Sequence, residues 1–229
     1  MRDDRDSARD YFEDLAPEYD RAFRLQGRGP LNAVVNRLFR GPTFVRRMRL
    51  LEEIFGRLHL SGRSVLDLGC GSGQVSLLAA AMGAQVRGID IAPGMLALAR
   101  DAASHAGLAD RVRFEEGDVS RDPLPRADVV LLVGVVEYYR DLEALVRRAA
   151  DATGQALVIA HANRVLYRMA LRAVLARLGR LNLYYHPMHA VAAAAHGAGL
   201  VLAEERREHA FTILVFERPA KTAGGTPAG

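Results

Sequence analysis

The stretch Val65-Leu66-Asp67-Leu68-Gly69-Cys70-Gly71-Ser72-Gly73 constrains the fold more than any other part of the chain. A short β-type run, Ser64 to Leu68, passes into glycines at alternate positions and then into a helical run through Ala81, stopped at Gly83. Glycine there lets the backbone turn sharply and lets a ligand approach with no Cβ in the way. The spacing is G-x-G-x-G, whereas a dinucleotide pyrophosphate loop has G-x-G-x-x-G; here Gln74 and Val75 follow where that loop requires a small residue. Asp67 would also repel a pyrophosphate. It suits a cationic ligand, of which a sulfonium carrying an α-ammonium group is one.

The pattern beyond the loop extends the same architecture. Gln85 to Ile89 reads as a second strand closed by Asp90, the place where doubly wound sheets set a carboxylate against both hydroxyls of a ribose. Pro93 opens a helix running to about Ser104. Val112 to Glu115, Asp128 to Val133 and Ala156 to Ala160 supply three further strands, with a helix over Leu142 to Ala150. Helices are expected near Asn163 to Leu178 and His189 to Ala198. Leu200 to Glu204 and Phe211 to Phe216 are separated by residues 205–210 alone, a hairpin spacing that makes the last strand antiparallel. The alternation predicts a Rossmann-like, doubly wound α/β fold with seven strands, covered on both faces.

The first sixty residues are helical in pattern. A short helix is expected over Ala8 to Leu15, broken before Pro17, with a clear break at Gly27-Arg28-Gly29-Pro30. Phe44, Met48, Leu51, Phe55 and Leu58 then form an apolar stripe at helical spacing. The expected organisation is a helical lid over 1–60, a core over 61–218 with a cap insertion at about 163–188, and a disordered tail over 219–229.

Composition bounds the rest. The one cysteine, Cys70, rules out an internal disulfide and fits a reducing cytoplasm, the expected location. The apolar runs fall far short of the ~20 residues of a membrane span, so no transmembrane segment is expected. The net charge of +4 is spread over arginines interspersed with carboxylates, with no basic run interleaved with aromatics, so nucleic acid is not an expected partner. Arg164, Arg168 and Arg172 form a basic stripe that leaves room for an acidic substrate or peripheral contact with anionic lipid. His186 and His189 have no carboxylate or cysteine beside them to complete a metal site, so no metal is expected. The oligomeric state is not legible.

The glycine loop, Asp67 and Asp90 at the strand ends, and Glu116-Gly117-Asp118-Val119 after the third strand together resemble the class I S-adenosylmethionine-dependent methyltransferases. The resemblance is to their small-molecule members, similar to those of quinone, tetrapyrrole and natural-product pathways. It implies S-adenosylmethionine as cofactor and S-adenosylhomocysteine as product. It places Asp67, Gly69, Cys70, Gly71 and Gly73 around the methionine moiety, Asp90 on the ribose hydroxyls, and Ile91 and Met95 beside the adenine. Asp118 would accept the adenine amino proton with Val119 adjacent, and Gly134 and Glu137 would line the methionine end. Tyr11-Phe12-Glu13-Asp14-Leu15-Ala16-Pro17-Glu18-Tyr19-Asp20 looks like the opening segment of such enzymes, which makes Tyr19 a candidate lid residue over the cofactor.

Methyl transfer needs a nucleophile aligned behind the methyl, exclusion of water and, for a weakly acidic hydroxyl, a general base. His161, His186 and His189 are the candidate bases, and Tyr138, Arg164 and Tyr185 the candidate substrate contacts. The expected acceptor is a small molecule, methylated on a hydroxyl or carboxyl oxygen. The alternative is a non-catalytic module that keeps the cofactor loop as a scaffold or sensor.

Overall fold

A computed structural model describes residues 4–23, 41–163 and 182–219. The side chains of residues 4, 5, 15, 17–23 and 41 lie outside what it describes. Its elements, in chain order, are α1 (Asp4–Phe23), α2 (Gly41–Arg57), β1 (Ser64–Leu68), α3 (Gln74–Ala81), β2 (Gln85–Asp90) and α4 (Pro93–His105). There follow β3 (Val112–Glu116), β4 (Ala127–Val133), a 3₁₀ turn (Val136–Tyr138), α5 (Leu142–Ala152), β5 (Thr153–Ala162), α6 (Met188–Gly197), β6 (Val201–Arg207) and β7 (Phe211–Glu217).

The strands form one seven-stranded sheet in the order β3-β2-β1-β4-β5-β7-β6. β1 to β5 are parallel, and β7 runs antiparallel to both β5 and β6. This is the doubly wound architecture the alternating pattern predicts. The strand order reverses between β1 and β4, so a crevice opens at the carboxyl ends of those two strands, directly above the glycine loop.

Each face of the sheet has its own core, because successive strand residues point to opposite sides. Val65, Val129, Leu131, Val158 and Ile213 pack against Leu51, Phe55 and Ala79 of α2 and α3. Leu66, Val130, Leu132, Leu157 and Leu214 pack on the other face against Leu145, Val146, Ala149 and Val191 of α5 and α6. The central strands are apolar on both faces, as parallel strands covered on both sides must be.

Among the boundaries that differ from the sequence pattern, two bear on the site. α1 does not break before Pro17 but continues as one helix to Phe23. A proline within a helix costs about 3 kcal/mol; opposing that cost, Ala16 and Phe12 pack against Ala92 and Met95. β5 is longer than Ala156 to Ala160 at both ends. β4 pairs with it from Thr153, and β7 holds it in register up to Ala162 opposite Phe211. His161 therefore lies within the strand rather than after it. All but the first residue of the helix expected near Asn163 to Leu178, and almost all of the tail, fall outside the described residues.

Candidate active site

The loop after β1 is built by three left-handed glycines. Gly69 has φ 71°, Gly71 54° and Gly73 78°, a region that side-chain-bearing residues rarely adopt. Their surroundings differ. A Cβ on Gly69 would stand 2.6 Å from Val135 Cγ2, and one on Gly73 would stand 2.7 Å from Phe114 Cζ, so these two glycines let the loop seat on the sheet. A Cβ on Gly71 would approach only Met95 Cε, at 3.4 Å. Gly71 thus faces the crevice, and Gly134, with φ 73°, does the same at the end of β4, where the nearest group is Arg47 Nη1 at 3.6 Å.

Asp90 closes β2 beside that loop. The Gly71 N–H donates to its Oδ2 at 2.7 Å and the Ala92 N–H to its Oδ1 at 3.0 Å. A carboxylate offers about four acceptor positions, so both oxygens keep capacity for a further donor. Asp90 is buried, which raises its pKa against the pull of those backbone donors. Asp67 lies deeper, fully buried, accepting a hydrogen bond from Ser76 Oγ at 2.6 Å; burial pushes its carboxyl up to about 6. Cys70 sits half-buried between them. Burial, then the two acids, raises its thiol far above the ordinary range, so it is no nucleophile.

The far side of the crevice comes from β3 and α4. Asp118 Oδ1 accepts from Ser120 N at 2.8 Å and Ser120 Oγ at 2.6 Å, which fixes the carboxylate in a tight turn with buried Val119 next to it. Met95 is buried, and Ile91 is half-buried. α1 covers this region. Phe12 meets Tyr138 edge-on at 5.3 Å, and Ala16 packs on Met95. Glu13 Oε1 accepts the Gly94 N–H at 2.8 Å, and the Asn182 N–H donates to Ser7 Oγ at 2.7 Å. α1 therefore touches both α4 and the segment that leads into α6.

The three candidate histidines separate. His161 is 4% exposed at the carboxyl end of β5, its Nε2 without a partner. Burial lowers its pKa, opposed by Glu137. His186 is held by Tyr139, 2.8 Å from Nε2 to the carbonyl oxygen. His189 is exposed on the first turn of α6 and joins neither of the others. Glu137 is 6% exposed; its Oε1 accepts the Ala162 N–H at 2.7 Å, while Oε2 is buried without a hydrogen-bond partner. Each such unpaired buried group costs about 1–3 kcal/mol.

Tyr138 faces Phe12 as described. Tyr185 is 46% exposed, and its neighbour Tyr184 is half-buried under the Arg140 guanidinium, 5.5 Å from the ring centre. Arg164 and the Tyr19 side chain lie outside the described residues. Among the described residues, no group of three or more His, Cys, Asp or Glu could hold a metal ion, and no helix is long and apolar enough to cross a membrane.

Sequence reading missed two residues here. Arg47 carries a buried, unpaired Nε beside Gly134. Its position three after Phe44 and four before Leu51 puts it on the inward stripe of α2, a signal that periodicity carried. Glu13 acts across 81 positions in sequence, and no local pattern marks it.

Residues 65–155 match the family model described as a methyltransferase domain. Over 119 residues the chain is 36% identical to the ubiquinone biosynthesis O-methyltransferase of Azorhizobium caulinodans, covering 50% of this chain and 46% of that protein. Over 75 residues it is 47% identical to the ribosomal protein L11 methyltransferase of Deinococcus radiodurans, covering 32% and 28%. The chain thus spans about half or less of these relatives. In fold it is similar to the magnesium protoporphyrin IX methyltransferase of Synechocystis PCC 6803, with TM-score 0.74 and 23% identity over 95% of this chain and 100% of that one.

Residues 65–155 are thus similar to a methyltransferase domain, set in the fold of the class I S-adenosylmethionine-dependent methyltransferases. The loop and the two strand-end acids fall inside the matched span 65–155. The match ends before β5 is complete, so His161 and the residues after it lie outside it.

Proposed function

We propose that the chain binds S-adenosylmethionine in the crevice above β1 and β4 and transfers its methyl group to a small-molecule acceptor. The observation that carries this reading is the Gly71–Asp90 contact. A buried carboxylate, braced by the loop's own backbone and retaining acceptor capacity, stands beside the one loop glycine whose Cβ would meet nothing but the end of Met95. That arrangement suits the two hydroxyls of a ribose.

The residues divide the work along the crevice. Gly69, Gly71, Gly73 and Gly134 give close approach to the methionine moiety, with Cys70 packed beneath and Asp67 supplying negative charge from below. Asp90 takes the ribose, Ile91 and Met95 flank the adenine, and Asp118 with Val119 meets its edge. When bound, S-adenosylmethionine supplies an activated methyl group. The protein's part is to hold the acceptor in line, keep water out and, for a weakly acidic acceptor, take a proton. His161 is the best placed of the three histidines for the last task, being buried, uncharged at neutral pH and unpaired at Nε2. α1 excludes water from above; the rest of the expected lid over 1–60 and most of the expected cap at 163–188 on the core 61–218 lie outside the described residues.

The acceptor atom is an oxygen, a reading supported by the similarity to the ubiquinone-pathway O-methyltransferase. Incubating the full chain with methyl-labelled S-adenosylmethionine and a small-molecule extract of its source tests the reading. Formation of S-adenosylhomocysteine with an equivalent of labelled small molecule is expected. Binding with no transfer in any extract would instead indicate a scaffold or sensor.

A further inference from the structure

Glu137 and His161 are two deeply buried polar side chains whose second polar atoms have no partner, and they stand together. Glu137 leaves the end of β4 in the 3₁₀ turn, and its Oε1 takes the N–H of Ala162, the residue next to His161. Segment 182–187 is tied to this turn: the Tyr184 N–H donates to the Glu137 carbonyl at 2.7 Å, and His186 is held by the Tyr139 carbonyl. One carboxylate oxygen of the pair and one imidazole nitrogen stay unsatisfied, at the carboxyl edge where the acceptor must lie.

We propose that Glu137 and His161 together receive the polar head of the methyl acceptor and restrict it to uncharged hydroxyls. This rests on the methyl-transfer reading above and narrows its acceptor class. A hydroxyl both donates and accepts, so it can give its one proton to Glu137 Oε2 while accepting from His161 Nε2–H, or give that proton to Nε2 where that nitrogen is the bare one. An ionised carboxylate has no proton to give and would be placed against the Glu137 carboxylate in a site shielded from water, where like charges repel most strongly. The charged groups acting on His161 reinforce the selection. Glu137 and Glu205 are acids, and His186 is the one base among them. Burial keeps His161 uncharged at neutral pH, so it offers a carboxylate no counter-ion. Glu137 acts here as a positioning and selecting residue; it fixes the end of β5 through Ala162 while its other oxygen meets the ligand.

The test uses the full chain saturated with S-adenosylhomocysteine and two probes of matched shape, 4-methylphenol and 4-methylbenzoate. Their dissociation constants are read from the histidine ring resonances, His161 being assigned through His161→Gln. At pH 7.5 the phenol should shift the His161 signal and bind at least tenfold more tightly than the benzoate. Glu137→Gln should cut that preference at least fivefold, and Glu137→Asp should restore part of it. A Glu137→Gln protein that fails to fold leaves the wild-type preference and its loss in His161→Gln to decide. Equal or tighter binding of the benzoate, no perturbation of His161 by either probe, or an unchanged preference in the variants overturns the proposal. Failure of the wild type to bind S-adenosylhomocysteine in calorimetry would overturn the reading beneath it, and a failure of the probes with the cofactor product bound overturns the pair alone.

Discussion

Glu13 of α1 accepts the N–H of Gly94 at 2.8 Å and so caps the start of α4 from another helix. Ala92, at the N-cap position, has no side chain that could do this, and Pro93 follows it. A helix N-terminus leaves its first N–H groups unpaired and favours a negative charge. The cap that α4 lacks locally is supplied by the lid, and this ties the closure of α1 to the wall of the crevice.

Glu13→Ala should therefore loosen α1 without unfolding the sheet. The loss of a capping bond is worth about 0.5–2 kcal/mol. Hydrogen exchange should show faster exchange across residues 4–23 and at the first turn of α4, with β1, β4 and β5 unchanged. Unaltered protection of α1 would show that Phe12 and Ala16 hold it alone.

Gly73→Ala tests the seating of the loop. The new Cβ would meet Phe114 Cζ at 2.7 Å and Ala99 Cβ at 3.0 Å, and the residue would sit at φ 78°. The left-handed conformation alone costs about 1–2 kcal/mol. A lowered melting temperature together with weakened S-adenosylhomocysteine binding is expected. Gly71→Ala has room for its Cβ, apart from the 3.4 Å contact with Met95, but carries the same left-handed cost at φ 54°, so it should lower the melting temperature less than Gly73→Ala does.

Asp67 gives stability a pH dependence of a definite sign. Its carboxyl is raised from 3.8 to about 6 by burial, so between those values the folded chain holds a proton that the unfolded chain has released. Stability contributed by the protonated form is then lost as pH rises from 3.8 through about 6. The loss amounts to roughly 3 kcal/mol. Asp67→Asn should remove this component. The melting temperature of the variant minus that of the wild type should rise from pH 4 to pH 7; a flat difference would mean that Asp67 keeps an ordinary carboxylate pKa.

The histidines should separate in turnover as they do in space. With a hydroxyl acceptor, His161→Ala should lower turnover by ~10²–10⁴-fold. His189→Ala, on an exposed turn, should stay within about twofold, the range in which surface substitutions usually fall. Equal losses would contradict the placement of His189.

Much of the sheet was legible in the sequence because each central strand is an apolar run between turn signals, and the loop glycines and Asp90 sit at its ends. The carboxyl end of β5 was not. Nothing within Ala160-His161-Ala162 marks a strand; it extends because Phe211 and Thr212 of β7 lie opposite, about fifty positions away in sequence. The same dependence on distant partners hid the Glu13 cap and the continuity of α1 through Pro17. The unpaired Glu137 and His161 atoms were invisible for a similar reason: burial on one side of a sheet edge is a property of packing, not of residue type. His186 and His189, close in sequence, read as a pair, but α6 begins between them and turns His189 outward.

The central claim is that the crevice takes S-adenosylmethionine through Asp90, and calorimetric titration of the full chain with S-adenosylhomocysteine tests it most directly. One-to-one saturable binding is expected, with no heat from NAD, because the loop spacing and Asp67 disfavour a pyrophosphate. Asp90→Ala should fold and bind at least tenfold more weakly, since each charge-assisted hydrogen bond to the ribose is worth about 1.5–3 kcal/mol. No binding to the wild type, preference for NAD, or equal affinity in Asp90→Ala would contradict the account.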